Sequence, residues 1–129
     1  MKVAELMAKA DQALASSRIL LDAGDPDGAC NRGYYAMFDA ARAALLRSGS
    51  DIGKTHKGVL NAFSDQLIKN GPIPREMGRL LKQAETRRYV ADYEGEPVEP
   101  DDARQMIEQA ALFVAAIHAF IAERIAPGR

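Results

Sequence analysis

Two stretches of the chain carry residue types that a plain helical core does not need. The first is Asn31, Tyr35, Phe38 and Arg42, spaced by four, three and four residues. At about 100° per residue they fall in one narrow stripe of a helix, bordering its apolar face rather than opposing it. An Asn and an Arg at the edge of a core must find partners, because burying either alone is costly. They either reach water along the helix edge or line a polar groove or a dimer seam. The second stretch is Glu85-Thr86-Arg87-Arg88-Tyr89-Val90-Ala91-Asp92-Tyr93. Two adjacent guanidinium groups and two tyrosines at a helix end can grip phosphate oxygens and stack a base. The plain alternative is a solvated basic terminus suited to the helix dipole. Arg88 and Asp92, four apart, share a face, and a surface pair of this kind is worth at most about 0.5 kcal/mol.

Other candidates are few. His56 stands after Thr55 at the head of a third helix, where its ring can donate to loop carbonyls or face a site. His118 borders the apolar face of the last helix and reads as structural. Neither has a His, Cys or carboxylate at metal-ligand spacing, so no metal is expected. Cys30 is the one cysteine. It has no partner for an internal disulfide and reads as a small buried hydrophobe. No Gly-rich phosphate loop, nucleophile elbow or paired-carboxylate signature appears, and no cofactor is expected.

The elements that must position these residues are helices. Val3, Met7, Ala10, Leu14 and Leu21 share a face of a first helix that Gly24 ends. Asp25-Pro26-Asp27 opens a second, with a capping carboxylate, a proline at the first helical position and an acid at the positive end of the dipole. It continues to about Ser48, with Tyr34, Met37, Phe38, Ala41 and Leu45 as its apolar stripe. After a loop over Ser50 to Lys54, Thr55 caps a third helix running to about Lys69. Asn70-Gly71-Pro72 stops it. A fourth runs from about Pro74 to Ala91, and Glu99-Pro100-Asp101-Asp102 opens the last, whose wide apolar face suits a bundle core. The fold class is therefore all-α, an antiparallel up-and-down bundle of four or five helices. The chain of 129 residues is read as a single domain, 1–129.

Composition narrows the function. The hydrophobic share of 47% beside 27% charged residues is that of an ordinary globular protein. A net charge of −1 excludes a strongly basic footprint for coating nucleic acid, though it leaves room for a local site. The N-terminus lacks a signal-peptide core, and no apolar run is read as approaching the roughly 20 residues of a membrane span. A cytoplasmic protein without membrane association is expected.

Taken together, three segments resemble the HEPN superfamily. They are Asn31-Arg32-Gly33-Tyr34-Tyr35-Ala36-Met37-Phe38-Asp39-Ala40-Ala41-Arg42-Ala43-Ala44-Leu45-Leu46, then Thr55-His56-Lys57-Gly58-Val59, and Arg88-Tyr89-Val90-Ala91-Asp92-Tyr93. The resemblance runs from about Ala10 to Ala122, and is nearest the small stand-alone prokaryotic branch. It implies a helical homodimer and, in many members, a metal-independent endoribonuclease. Such members act as toxins beside a minimal nucleotidyltransferase antitoxin. Their signature is an Arg followed four to six residues later by a His, with Arg steadying phosphorane charge and His moving protons. Here Arg88 matches the Arg, and Tyr93 stands where the His would be. A tyrosine with an ordinary pKa near 10 is a poor proton shuttle at neutral pH. His56, supplied by another helix, is the alternative carrier. Tyr93 could equally offer its hydroxyl to a nucleotidyltransferase for modification. The resemblance thus implies Arg88, Asp92 and Tyr93 as the catalytic candidates. Asn31, Tyr35, Arg42, Arg87 and His56 are the candidates for binding RNA or a nucleotide, with Arg42, Arg88 and Tyr93 expected to converge on one anion-sized pocket. The rival reading is a non-catalytic interaction module whose conspicuous residues serve dimer and partner contacts.

Overall fold

The computed structural model describes residues 2–50 and 55–125, which form five α-helices and one π-helical segment, with no strand among them. Helix α1 (Val3–Asp22) and helix α2 (Pro26–Arg47) make a hairpin. The turn passes through Gly24 at φ +86°, a left-handed conformation that a Cβ would oppose. Asp25 then caps α2 by accepting a hydrogen bond from the Gly28 amide at 2.9 Å, and Pro26 takes the first helical position.

Helix α2 is the central element, packed against α1, α3 (His56–Ala62), α4 (Arg75–Tyr93) and α5 (Pro100–Ile125). Small residues make this possible: Ala29, Gly33, Ala36, Ala40, Ala41, Ala43 and Ala44 are all buried, so neighbouring backbones approach closely. A wedge holding Asn31, Arg32, Tyr35, Asp39 and Arg42 stays half-open. Helix α5 supplies the opposite wall through Met106, Ala110, Phe113 and Ile117, all fully enclosed. Burial of each large side chain contributes about 1.5–3 kcal/mol.

Two sequence expectations need correction. Pro100–Glu123 of α5 reaches a mean hydropathy of 1.5 and is, by length and composition, apolar enough to cross a membrane. Its buried residues, Met106, Phe113 and Ile117 among them, pack on α1 and α2, while Asp101, Asp102, Arg104, Glu108 and Leu112 lie exposed. The third helix, expected to run unbroken to Lys69, changes pitch at Phe63 and continues as a π-helix, Phe63–Lys69. The wider i→i+5 winding keeps Phe63 and Leu67 buried together. Both windings bring residues four apart to nearly the same side, so apolar spacing does not separate them. The segment closes where the Ile73 amide donates to the Leu67 carbonyl at 3.0 Å. Gly71 is required there, because a Cβ would sit 2.4 Å from the Leu67 backbone. Of the expected loop Ser50 to Lys54, positions 51–54 lie outside the described residues.

The α4–α5 connection is tied at both ends. The Val98 amide donates to Asp27 Oδ1 at 2.7 Å, and Arg87 donates to the Asp102 carbonyl at 2.9 Å. These bonds join the start of α2, the end of α4 and the start of α5.

Candidate functional site

The site begins with a helix cap. Thr55 accepts from the Gly58 amide at 3.2 Å, which fixes the start of α3 and the position of His56, its first residue. The imidazole lies against the Phe38 ring, centroids 4.4 Å apart and planes 21° from parallel. Its Nδ1 is 2.9 Å from the Tyr34 hydroxyl, and Nε2 is 3.5 Å from that of Tyr35. Both tyrosines and Phe38 come from successive turns of α2, so one helix builds the shelf, the anchor and the rim.

Tyr34 is the hub. The Arg88 guanidinium reaches in from α4 and lies 4.9 Å from the centre of the Tyr34 ring, while the hydroxyl of that ring holds His56. A buried tyrosine seeks a partner for its O–H, and the face of its ring attracts a cation. Arg88 also donates to Asp92 Oδ2 at 3.0 Å and keeps only 15% of its side chain exposed. Its Nε–H is buried without a hydrogen-bond partner. A second cation, Arg32, lies 5.1 Å from the ring centre of Tyr35.

The electrostatics follow from enclosure. Burial pushes the Tyr34 hydroxyl well above its ordinary value; Glu85 adds to the rise and Arg88 opposes it. That hydroxyl stays protonated. Burial also lowers the His56 pKa, Arg88 lowers it further, and Glu85 partly offsets both. His56 is therefore a neutral imidazole near pH 7. Its two tautomers differ in use: if Tyr34 accepts from Nδ1–H, Nε2 presents a lone pair with only the long contact to Tyr35, and if Tyr34 donates, Nε2 carries the proton. Such a group can take a proton from a hydroxyl beside it.

The structure brings together His56, Tyr35, Arg88 and Asp92 from the sequence candidates and sends the others elsewhere. Arg87 turns toward the start of α5, where it meets the Asp102 carbonyl. Beside it Cys30 is buried, its thiol pushed up to about 11 by enclosure despite Arg87, as suits an inert side chain. Arg42 sits two turns beyond Tyr35, about 10 Å along α2. Its charged neighbour is Asp39, whose carboxyl pKa is raised by burial and lowered in part by Lys9, Arg42 and Arg32. Asn31 is half-buried on the same wedge, one turn before Tyr35. Tyr93 is 69% exposed and packs on Tyr89, ring centroids 4.8 Å apart.

The expected convergence of Arg42, Arg88 and Tyr93 on one pocket is thus corrected. Five residues of α-helix place Tyr93 about 140° around α4 from Arg88. The residues that the sequence pattern does not single out are Tyr34, which reads as core, and Glu85. One signal for Tyr34 is available: a tyrosine in the middle of a buried stripe implies a polar partner across the interface. His118 is held on the far seam, its Nε2 2.9 and 3.1 Å from the two carboxylate oxygens of Asp11, between α5 and α1. Among the described residues, no three His, Cys, Asp or Glu side chains gather to hold a metal ion.

Comparison with known proteins bears on the same segments. Residues 3–120 match the family model described as the HEPN domain. A Gloeobacter violaceus protein named UPF0332 protein glr0978 is 37% identical over 92% of this chain and 95% of its own length. A Methanocaldococcus jannaschii protein whose name marks it as a candidate toxin is 29% identical, over 88% of this chain and 84% of its own. The crystal structure of ST0689, an archaeal HEPN homologue, superposes with a TM-score of 0.73. It is 21% identical, covering 94% of this chain and 98% of that one, a likeness of fold.

Proposed function

The chain belongs to the HEPN domain family, and from that premise we propose a toxin-like protein that cleaves RNA without a metal, using His56 as its proton carrier. The observation that carries this reading is the meeting of His56 and Arg88, from different helices, on the hydroxyl and the ring face of Tyr34. In the proposed reaction neutral His56 takes the proton of a 2′-hydroxyl, and that oxygen attacks the adjacent phosphorus. The bond from phosphorus to the 5′-oxygen breaks, and the departing oxygen takes a proton from water. The products are a 2′,3′-cyclic phosphate and a 5′-hydroxyl. Arg88 offsets charge on the phosphorane through the part of its guanidinium that remains exposed. The protein acts as a homodimer, beside a minimal nucleotidyltransferase antitoxin.

The test is cleavage of a labelled oligoribonucleotide in the presence of EDTA, with the products resolved by their termini. Wild-type protein should yield cyclic-phosphate ends, and Arg88→Ala should lose the activity while keeping its helical circular dichroism. A second reading has its own support: Arg88 is enclosed and already paired with Asp92 and Tyr34, as a structural arginine would be. RNA left intact by protein that co-elutes with a nucleotidyltransferase would establish that reading, a non-catalytic binding module. Light scattering giving a monomer at micromolar concentration would overturn the dimer.

A further inference from the structure

The faces of α4 are divided. Arg88 turns inward to Tyr34, with Glu85 nearby and the exposed Asp92 paired to its guanidinium, and Arg87 turns to α5. The remaining face carries Arg75, Arg79, Lys82, Thr86, Tyr89 and Tyr93, at spacings of four, three, four, three and four residues. At about 100° per residue all six fall within one solvent-facing stripe, and all six are exposed. No carboxylate lies within the stripe. The acids beside it are Glu76, which pairs with Arg79, and Glu85, which approaches Lys82 at 3.7 Å. Exposed pairs of this kind hold their partners weakly and release them to a stronger anion. The cations occupy the first half of the stripe and the tyrosines the second, with Tyr89 at 55% and Tyr93 at 69% exposure. Arg75, Arg79 and Lys82 also rim a recess of about 470 Å³, within the range of small-ligand sites.

We propose that this stripe is a binding track for single-stranded RNA, with the sugar-phosphate backbone along Arg75, Arg79 and Lys82 and unpaired bases stacked on Tyr89 and Tyr93. This rests on RNA being the ligand of the protein, and it adds a second surface on the other side of α4 from Arg88 and the His56 cluster. Three features favour a single strand over other occupants. Steps of three or four residues advance about 4.5–6 Å along the helix, a distance suited to successive phosphates of a single strand. Exposed aromatic rings bind any unpaired base and are closed to a duplex, whose bases are already stacked. Cations and rings are also arranged in sequence along one line, so a strand that meets the first is delivered to the second.

Binding is measured apart from cleavage, on the His56→Ala protein, with an unstructured labelled oligoribonucleotide of about a dozen residues. The oligonucleotide is used alone or annealed to its complement, between about 50 and 200 mM salt. The single strand should bind at least tenfold more tightly than the duplex. Tyr89→Ala with Tyr93→Ala should weaken single-strand binding by about tenfold or more. Arg79→Gln with Lys82→Gln should reduce the slope of log Kd against log salt by about 1.4, at roughly 0.7 for each phosphate no longer neutralised. All four side chains face solvent, so the thermal midpoint serves as the folding control and should hold. Equal affinity for duplex, an unchanged slope, or undiminished binding by the tyrosine variant would overturn the track. So would a dimer that dissociates in these variants, since the stripe would then be a seam between copies. Loss of binding in the variants of a protein that never cleaves RNA would sink the ribonuclease and keep the track. Cleavage by a protein whose α4 variants bind normally would do the reverse.

Discussion

The two histidines of the chain occupy contrasting regions. His118 lies on the outer seam of α1 and α5, half-exposed and bonded through Nε2 to both oxygens of Asp11. His56 lies at the junction of α2, α3 and α4. Its ring is flattened on Phe38, its nitrogens face two tyrosine hydroxyls, and a guanidinium stands nearby. A histidine beside a carboxylate is the pattern usually associated with catalysis. On the proposed reading the carboxylate marks the structural one. His118 bridges two helices in water, where its pair with Asp11 is screened. His56 is half-buried beside a cation, which favours the neutral ring that proton abstraction requires.

The sharpest way to break that contrast is activity. His56→Ala should lower RNA cleavage by at least about a hundredfold, the usual contribution of a positioned acid–base group, whereas His118→Ala should leave it within about twofold. Equal losses, measured as initial rates with matched melting curves, would erase the distinction. Stability separates the regions next. Arg88→Ala removes a cation from the Tyr34 ring and leaves a gap beside it, and denaturant titration should show a loss of about 1–2 kcal/mol. Tyr34→Phe keeps the ring but deletes the hydroxyl that holds His56, at a cost of about 1 kcal/mol. It should also slow cleavage, since the imidazole loses its anchor.

A pH series sharpens the comparison further. The His56 pKa is lowered in the folded chain below its ordinary value of 6.5. Below that pH the unfolded state therefore binds a proton that the folded state refuses, and stability falls as pH drops from 6.5 toward the folded value. His56→Phe should flatten that part of the stability curve relative to wild type, and an unchanged slope would deny the shift. The smallest effect belongs to the exposed pair: a double-mutant cycle on Asp11→Ala and His118→Ala should give a coupling of about 0.5 kcal/mol or less.

Much of this is legible in the residues alone, for reasons that can be named. Asp25-Pro26-Asp27 and Thr55 announce helix starts because capping is local chemistry, and the structure places caps at both. The apolar stripes of α2 and α5 follow from helical period. Arg88 with Asp92 is readable as an i,i+4 pair, and the two meet. What pattern does not convey is which helix lies beside which. The partnership of Tyr34 with His56 spans 22 residues and exists only once α3 packs on α2. Proximity in sequence groups Tyr93 with Arg88, and the winding of α4 separates them. The π-helix escapes a reading by pattern because the apolar residues of Phe63–Lys69 satisfy either pitch.

The bonds that close the α4–α5 connection have a kinetic consequence. Helix ends ordinarily fray, exposing their last amides to solvent many times before the domain as a whole unfolds. The last turns of α4 are fastened instead, through Arg87 to the Asp102 carbonyl, while Asp27 grips the following loop at the Val98 amide. Hydrogen exchange at Val90 to Asp92 should consequently run nearly as slowly as in the middle of α2. Releasing the clasp with Asp27→Ala should quicken it without touching His56.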